Sequence, residues 1–243
     1  MNAEVVGGRR ASWQLAGALC LGAYVYGSLP FVYVLGKRRH VDLKRAGSGN
    51  VGATNLMAAG GPAPATVGWL LDASKGLAPV VVARSLGCAD EVAGLAGVCG
   101  VAGQCWPLFL RFQGGRGISA YVGATAALAP RVWGYALAPM IGGGLWRALP
   151  RLWHSSGIAK SSERAARGKA MPLGCFISAD IYPALFAANG RRSASARWAP
   201  ALLPAVLLAR RLTAPQPDDA TVGPRRRRVA LLYRLLYDRN TSM

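Results

Sequence analysis

Acidic residues are scarce in this sequence. Of 243 residues only 10 are Asp or Glu, against 29 Lys or Arg, and charged residues make up just 16 % of the chain. A disordered tail protein needs many charges and few apolar groups, which an apolar content of 52 % excludes. Nucleic-acid binders carry their basic surface on a charge-rich domain, so the net charge of +19 is not read as a nucleic-acid footprint. Histidine is rarer still: His40 and His154 are the only two, both in polar segments. The five cysteines (Cys20, Cys88, Cys99, Cys105, Cys175) are scattered, and no two form a C-x-x-C pair. That inventory offers no zinc set, and the cysteines read as small apolar residues.

What is present is a charge-poor, apolar chain whose charges are almost all positive. The combination predicts a membrane protein with basic ends and loops. The first apolar run, 11–35, follows Arg9 and Arg10. At about 25 residues it is too long for a signal-peptide core of about 7–15. It reads as a retained transmembrane helix broken near Gly27-Ser28-Leu29-Pro30. Further runs lie at 65–86, 92–110, 118–131, 132–149, 171–188 and 198–212. Several are shorter than the roughly 20 residues of a usual span, or carry Gly, Pro or a charge. This suits a compact bundle in which small residues let helices approach closely. The expected fold is all-α, a polytopic transmembrane bundle of about seven helices over residues 1–212. The 118–149 stretch is either one long helix or two hinged at Pro130-Arg131. With the N-terminus outside, most Lys and Arg fall on the cytoplasmic side, as the positive-inside rule asks; the 189–197 loop, with Arg191, Arg192 and Arg197, is the exception. Residues 213–243 form a basic cytoplasmic tail, with Arg225 to Arg228 ahead of a short amphipathic helix over 229–237 suited to anionic lipid.

Three segments carry polar chemistry. In Gly47-Ser48-Gly49-Asn50-Val51-Gly52-Ala53-Thr54-Asn55, glycines leave backbone N–H groups free to point inward, and short polar side chains add donors. Beside Lys44 and Arg45 this is a phosphate cradle in physical terms; equally it is a tight interhelical turn ahead of a helix N-terminus. Phe112-Gln113-Gly114-Gly115-Arg116-Gly117 again sets a cation among glycines, where a phosphate would meet backbone donors and a guanidinium. Two such turns on one face suggest a substrate pair carrying two phosphates. Finally, Asp72 and Lys75 lie one helical turn apart within an apolar run and share a face. Ionisable groups at membrane depth are functional or paired.

The order G-S-G-N-x-G-A-T-N, D-x-x-K-G, G-x-x-x-P-x-F-x-x-F-x-G-G-[KR]-G, read here over Gly47–Asn55, Asp72–Gly76 and Gly103–Gly117, resembles the bacterial acyl-phosphate-dependent glycerol-3-phosphate acyltransferases. The resemblance is continuous from about residue 27 to 123. It implies a multi-pass enzyme of the bacterial inner (plasma) membrane, with its active site facing the cytoplasm. Such an enzyme moves an acyl group from acyl phosphate to glycerol 3-phosphate, giving lysophosphatidic acid and phosphate for phospholipid synthesis, with no cofactor and no metal. Ser48, Asn50 and Asn55 are then the candidate catalytic residues. Gly47, Gly49, Gly52, Gly114, Gly115, Arg116 and Gly117, supported by Asp72 and Lys75, are the candidate substrate-binding residues. The partners implied are acyl phosphate, glycerol 3-phosphate and anionic lipid, and no nucleic acid.

The chain also departs from that pattern. Ala58 stands where the family has an arginine after the first motif. Gln104 stands where it has a histidine, and Arg116 where it has a lysine. The R-H-R-x-N motif near the last helix has no counterpart; the nearest segments are 208–212 and 237–240. One lost cationic ligand removes about 2–4 kcal/mol of transition-state stabilisation. The departures therefore raise an alternative, a catalytically impaired homologue that binds lipid phosphate or a membrane partner.

Overall fold

A computed structural model of the chain describes residues 3–153, 175, 177, 181–187 and 198–214. The 189–197 loop, the tail helix expected over 229–237 and the segment 237–240 lie outside the described residues. Nine helical segments and no strand occur among the described residues: α1 (Ala3–Gly27), α2 (Phe31–Arg38), α3 (Ala53–Gly60), α4 (Pro62–Ser85), α5 (Asp90–Cys105), α6 (Ile118–Leu128), α7 (Pro130–Trp153), α8 (181–187) and α9 (Trp198–Thr213). Seven of them match the seven apolar runs. The two extra are α2, cut from the first run at Pro30, and the short α3. The segments Trp13–Arg38 and Asp90–Leu110 are long and apolar enough to cross a membrane.

The breaks have local causes. Pro30 cannot donate to the helix ladder and disfavours a helical residue before it, so α1 ends at Gly27 and α2 restarts at Phe31. Ser28 closes the end of α1 by donating its hydroxyl to the Tyr24 carbonyl at 2.8 Å. The 118–149 stretch is two helices: α6 ends at Leu128, Ala129 leaves the helical region, and Pro130 opens α7.

Contacts divide the chain into two compact units, Met1–Pro130 with Arg192–Leu207, and Arg131–Arg191 with Leu208–Met243. The second contains nearly all of α7, α8 and the last turn of α9. Within it the rings of Tyr182 and Phe186 lie 6.1 Å apart on α8, and Arg210 and Arg211 are buried.

The first unit carries the three motif segments, and glycine holds it together. In it α4 packs on α5 and α6, and α5 packs on α1. A β-carbon on Gly76 would overlap the Ala120 carbonyl oxygen of α6, and one on Gly123 would overlap the Ala73 carbonyl oxygen of α4. On α5, a β-carbon at Gly100 would strike the Lys75 carbonyl oxygen, and one at Gly103 the Tyr24 carbonyl oxygen of α1. The backbones thus touch directly, the arrangement small residues permit between membrane helices. Pro79 helps, because it cannot donate to the Lys75 carbonyl four residues back, the carbonyl that Gly100 packs against.

Arg84 fastens the far end. Its Nε and one terminal nitrogen donate to Asp90 Oδ1 at 3.2 and 3.0 Å, and its guanidinium also donates to the carbonyls of Ala127 and Leu128. One side chain thereby ties the end of α4 to the acidic first turn of α5 and caps the carbonyl end of α6, a favourable place for a cation.

Substituting Gly76 by Val should lower stability by about 1–3 kcal/mol, because the added atoms meet main chain that cannot swing aside. Gly17 faces open space on α1, so Gly17→Ala should leave stability unchanged or raise it by up to about 1 kcal/mol. Thermal unfolding of both variants in detergent measures the contrast.

Candidate functional site

The first glycine-rich turn is built around a buried asparagine. Asn55, in the first turn of α3, donates its side-chain amide to the carbonyls of Leu43, Ala46 and Asn50 at 3.1, 2.9 and 3.0 Å. Its Oδ1 accepts the Ser48 backbone N–H at 3.2 Å. Gly47 and Gly49 take positive φ, 56° and 69°, which glycine adopts without steric cost. A β-carbon on Gly47 would overlap Asn55 Oδ1. Leu43 pins the turn from below by packing with Val32, Leu56 and Ala65. Asp42 starts it: Oδ1 accepts the Lys44 N–H at 3.1 Å and Oδ2 the Lys37 ammonium at 3.1 Å. The hydrogen bond from Lys37 holds the Asp42 carboxyl below the ordinary carboxylate range.

This geometry corrects one expectation. The turn's N–H groups do not all point inward for a ligand. Ser48 N–H goes to Asn55, Gly49 N–H to the Ala46 carbonyl, Asn50 N–H to Ser48 Oγ at 3.4 Å, and Gly52 N–H to the Asn50 carbonyl. A loop of short polar residues satisfies its own backbone before it serves a ligand. What it presents outward is the exposed Ser48 and the half-buried Asn50 side chain. Ala58 is exposed on α3.

The second turn follows α5. Pro107 begins a short 3-10 turn over Leu108–Leu110, and Arg111 and Phe112 then take left-handed φ of 54° and 62°. Gly114 and Gly115 are buried, Arg116 is half-buried, and Gly117 enters α6 with φ 78°. A β-carbon on Gly114 would overlap the Gln104 carbonyl and the Pro107 ring. One on Gly115 would lie 3.0 Å from the Val51 carbonyl oxygen and 3.2 Å from Gln104 Nε2. The two turns therefore meet, Gly115 against Val51.

Beside that contact lies a buried polar cluster. Asp72, Lys75 and Gln104 are 1 %, 2 % and 7 % exposed. Lys75 Nζ is 2.8 Å from Asp72 Oδ1 and also donates to Gln104 Oε1. Gln104 Nε2 donates to Asp72 Oδ2 at 2.7 Å. The ammonium also lies 5.0 Å from the centre of the Phe31 ring, a cation–π distance. Burying two charges is tolerable only when they are paired and hydrogen-bonded, and here each is.

A narrow crevice opens onto this cluster. Its walls include Pro30, Phe31, Val51 and Leu110, and Asp72, Lys75, Gln104, Gly114 and Gly115 also line it. Of the residues expected from sequence, Asp72, Lys75, Gly114 and Gly115 border it. Ser48 and Asn50 belong to the adjoining turn that leads to Val51, Asn55 braces that turn from α3, and Arg116 is the next residue after the lining. Phe31 had no assigned place, and Gln104 stood only at the family's histidine position, without a role in the site. The signal for Gln104 was available: it is the one amide side chain in the otherwise apolar run 92–105.

These features define an all-α, polytopic membrane bundle with a polar cluster beneath two glycine-rich turns. The glycerol-3-phosphate acyltransferase family profile matches residues 17–152, and the chain belongs to that family. A glycerol-3-phosphate acyltransferase of Rubrobacter xylanophilus is 44 % identical over 114 residues, covering 47 % of this chain and 57 % of the relative. Glycerol-3-phosphate acyltransferase 5 of Dehalococcoides mccartyi is 36 % identical over 132 residues, covering 54 % and 57 %. The chain thus spans little more than half the length of the curated relatives it matches. The solved integral membrane glycerol 3-phosphate acyltransferase PlsY, in its glycerol 3-phosphate form, superposes with a TM-score of 0.66 at 26 % identity, covering 80 % of this chain and 87 % of that one. Its lysophosphatidic acid form gives 0.62 at 25 %.

Asn55→Asp tests the first turn. The exchange keeps the shape but turns a carboxylate oxygen toward three carbonyls, leaving buried acceptors without a donor. It should cost about 1–3 kcal/mol and speed hydrogen exchange across 46–50, with little change in α5.

Proposed function

We propose that this chain transfers an acyl group from acyl phosphate to the sn-1 hydroxyl of glycerol 3-phosphate, releasing lysophosphatidic acid and inorganic phosphate. The observation that carries this reading is the meeting of the two glycine-rich turns, Gly115 against Val51, over a crevice with a buried ammonium in its lining. The relatives' names and the two forms of the solved relative support it.

The chemistry asks little more than this. An acyl phosphate is already activated. The hydroxyl oxygen attacks the acyl carbon, the acyl–oxygen bond to phosphate breaks, and the departing phosphate takes the electron pair and the hydroxyl proton. The obstacle is bringing two anions together. Cations held in a low-dielectric site offset that repulsion, and alignment supplies the rest. In this reading Arg116 and Lys75 supply the positive charge, Ser48 and Asn50 donate to substrate oxygens, and Gly47, Gly49, Gly52, Gly114, Gly115 and Gly117 let the main chain approach. Asn55 acts as a positioning residue, since its polar atoms are spent on the turn, and Asp72 holds Lys75.

The same reading puts the protein in the bacterial plasma membrane with the site on the cytoplasmic side. There the expected basic loops contact anionic lipid and acyl phosphate is available.

Purified protein in detergent, given palmitoyl phosphate and radiolabelled glycerol 3-phosphate, should form lysophosphatidic acid. Arg116→Ala should lower kcat/KM by about 10²–10³-fold, the usual effect of removing one transition-state donor. Product no greater than in the Arg116→Ala control would overturn the assignment in favour of a catalytically silent homologue that binds lipid phosphate.

A further inference from the structure

Gln104 occupies an unusual position. Its carboxamide is spent at both ends: Oε1 accepts from the Lys75 ammonium, and Nε2 donates to Asp72 at 2.7 Å. The same Nε2 lies 3.2 Å from the β-carbon position of Gly115. It thus joins α5 to the charged pair on α4 and supports the turn that carries Arg116.

We propose that Gln104 is a positioning residue that fixes the Lys75 ammonium in the crevice as the cation that meets a substrate phosphate. A lysine carries three donors. One is donated to Gln104, the ammonium is ion-paired with Asp72 Oδ1 at 2.8 Å, and its remaining side faces Phe31, a wall of the crevice. That side is where a phosphate oxygen can enter. Without Gln104 the four-carbon stem would be held by Asp72 alone, one turn away on the same helix. The amide also suits the task by its neutrality. It divides the Asp72 carboxylate, taking one oxygen and leaving the other to Lys75. A carboxylate at 104 in addition to that of Asp72 would give the cluster a second negative charge and repel an incoming phosphate, whereas the amide adds none. The inference rests on the acyl-transfer reading for the identity of the substrate, but not for the binding of phosphate.

The test uses the full chain in detergent, with Gln104→Leu, Gln104→Glu and the exchange pair Asp72→Asn with Gln104→Glu. Two quantities are read: affinity for inorganic phosphate by titration calorimetry, and the KM of each substrate against kcat. Both single variants should weaken phosphate binding by about 10–100-fold, the worth of one charge-assisted hydrogen bond. The KM of one substrate should rise by a similar factor with a smaller change in kcat, and the substrate affected identifies the phosphate that Lys75 meets. The exchange pair, which restores one carboxylate and one amide around Lys75, should recover most of the loss. Unchanged phosphate affinity and KM in a folded single variant would overturn the proposal. So would an exchange pair no better than Gln104→Glu alone, and this pair carries the test if Gln104→Leu does not fold. Phosphate binding that depends on Gln104 without lysophosphatidic acid formation upholds the inference and removes the acyl-transfer reading. Turnover that is indifferent to Gln104 does the reverse.

Discussion

Gly100 sits between two helices at once. A β-carbon on it would overlap the Lys75 carbonyl oxygen of α4, and a β-carbon on Gly27 of α1 would overlap its own carbonyl oxygen. Neighbouring turns of α5 repeat the device: Gly97 approaches Val80 and Gly103 approaches the Tyr24 carbonyl. In lipid, helices gain nothing by hiding apolar surface from one another. Their association depends on how closely backbones fit. This contact is also what allows Gln104, one residue beyond Gly103, to reach both charges on α4. A wider spacing would leave Lys75 and Asp72 buried without the amide that hydrogen-bonds to both.

The bundle's cations therefore serve different ends. Arg84 is committed to architecture, binding Asp90 and the last carbonyls of α6. Lys37 is exposed and tied to Asp42 at the start of the first glycine turn. Lys75 is buried, ion-paired with Asp72, and borders the crevice. A net charge of +19 says nothing about this division. Burial and partner decide which cation is scaffold and which belongs to the site.

The two glycine-rich turns differ in the same way. The first is braced from within, with Asn55, the Ser48 hydroxyl and its own carbonyls taking four of its N–H groups. The second is shaped from outside, by the Gln104 carbonyl and the Pro107 ring against Gly114 and by Val51 against Gly115. Glycine is required in both, for positive φ at Gly47, Gly49 and Gly117 and for lack of room at Gly114. Composition alone does not separate these two needs.

Much of this was readable from the chain. Apolar runs of helical length predict an all-α bundle, Pro30 and Pro130 mark its breaks, and a spacing of three puts Asp72 beside Lys75, because helical periodicity fixes neighbours within one element. The motif order also carries the family. The sequence by itself thus determined the main apolar helices, the break at Pro30 and the pair on α4, while it left the 118–149 stretch open and did not show α3. Only the tertiary structure decided that Gln104, 29 residues from Lys75, closes that pair, that Val51 meets Gly115, and that four of the first turn's N–H groups are consumed internally. Contacts between helices depend on which faces touch and how near their backbones come. That nearness comes from glycines on several helices acting together, and no local pattern encodes it.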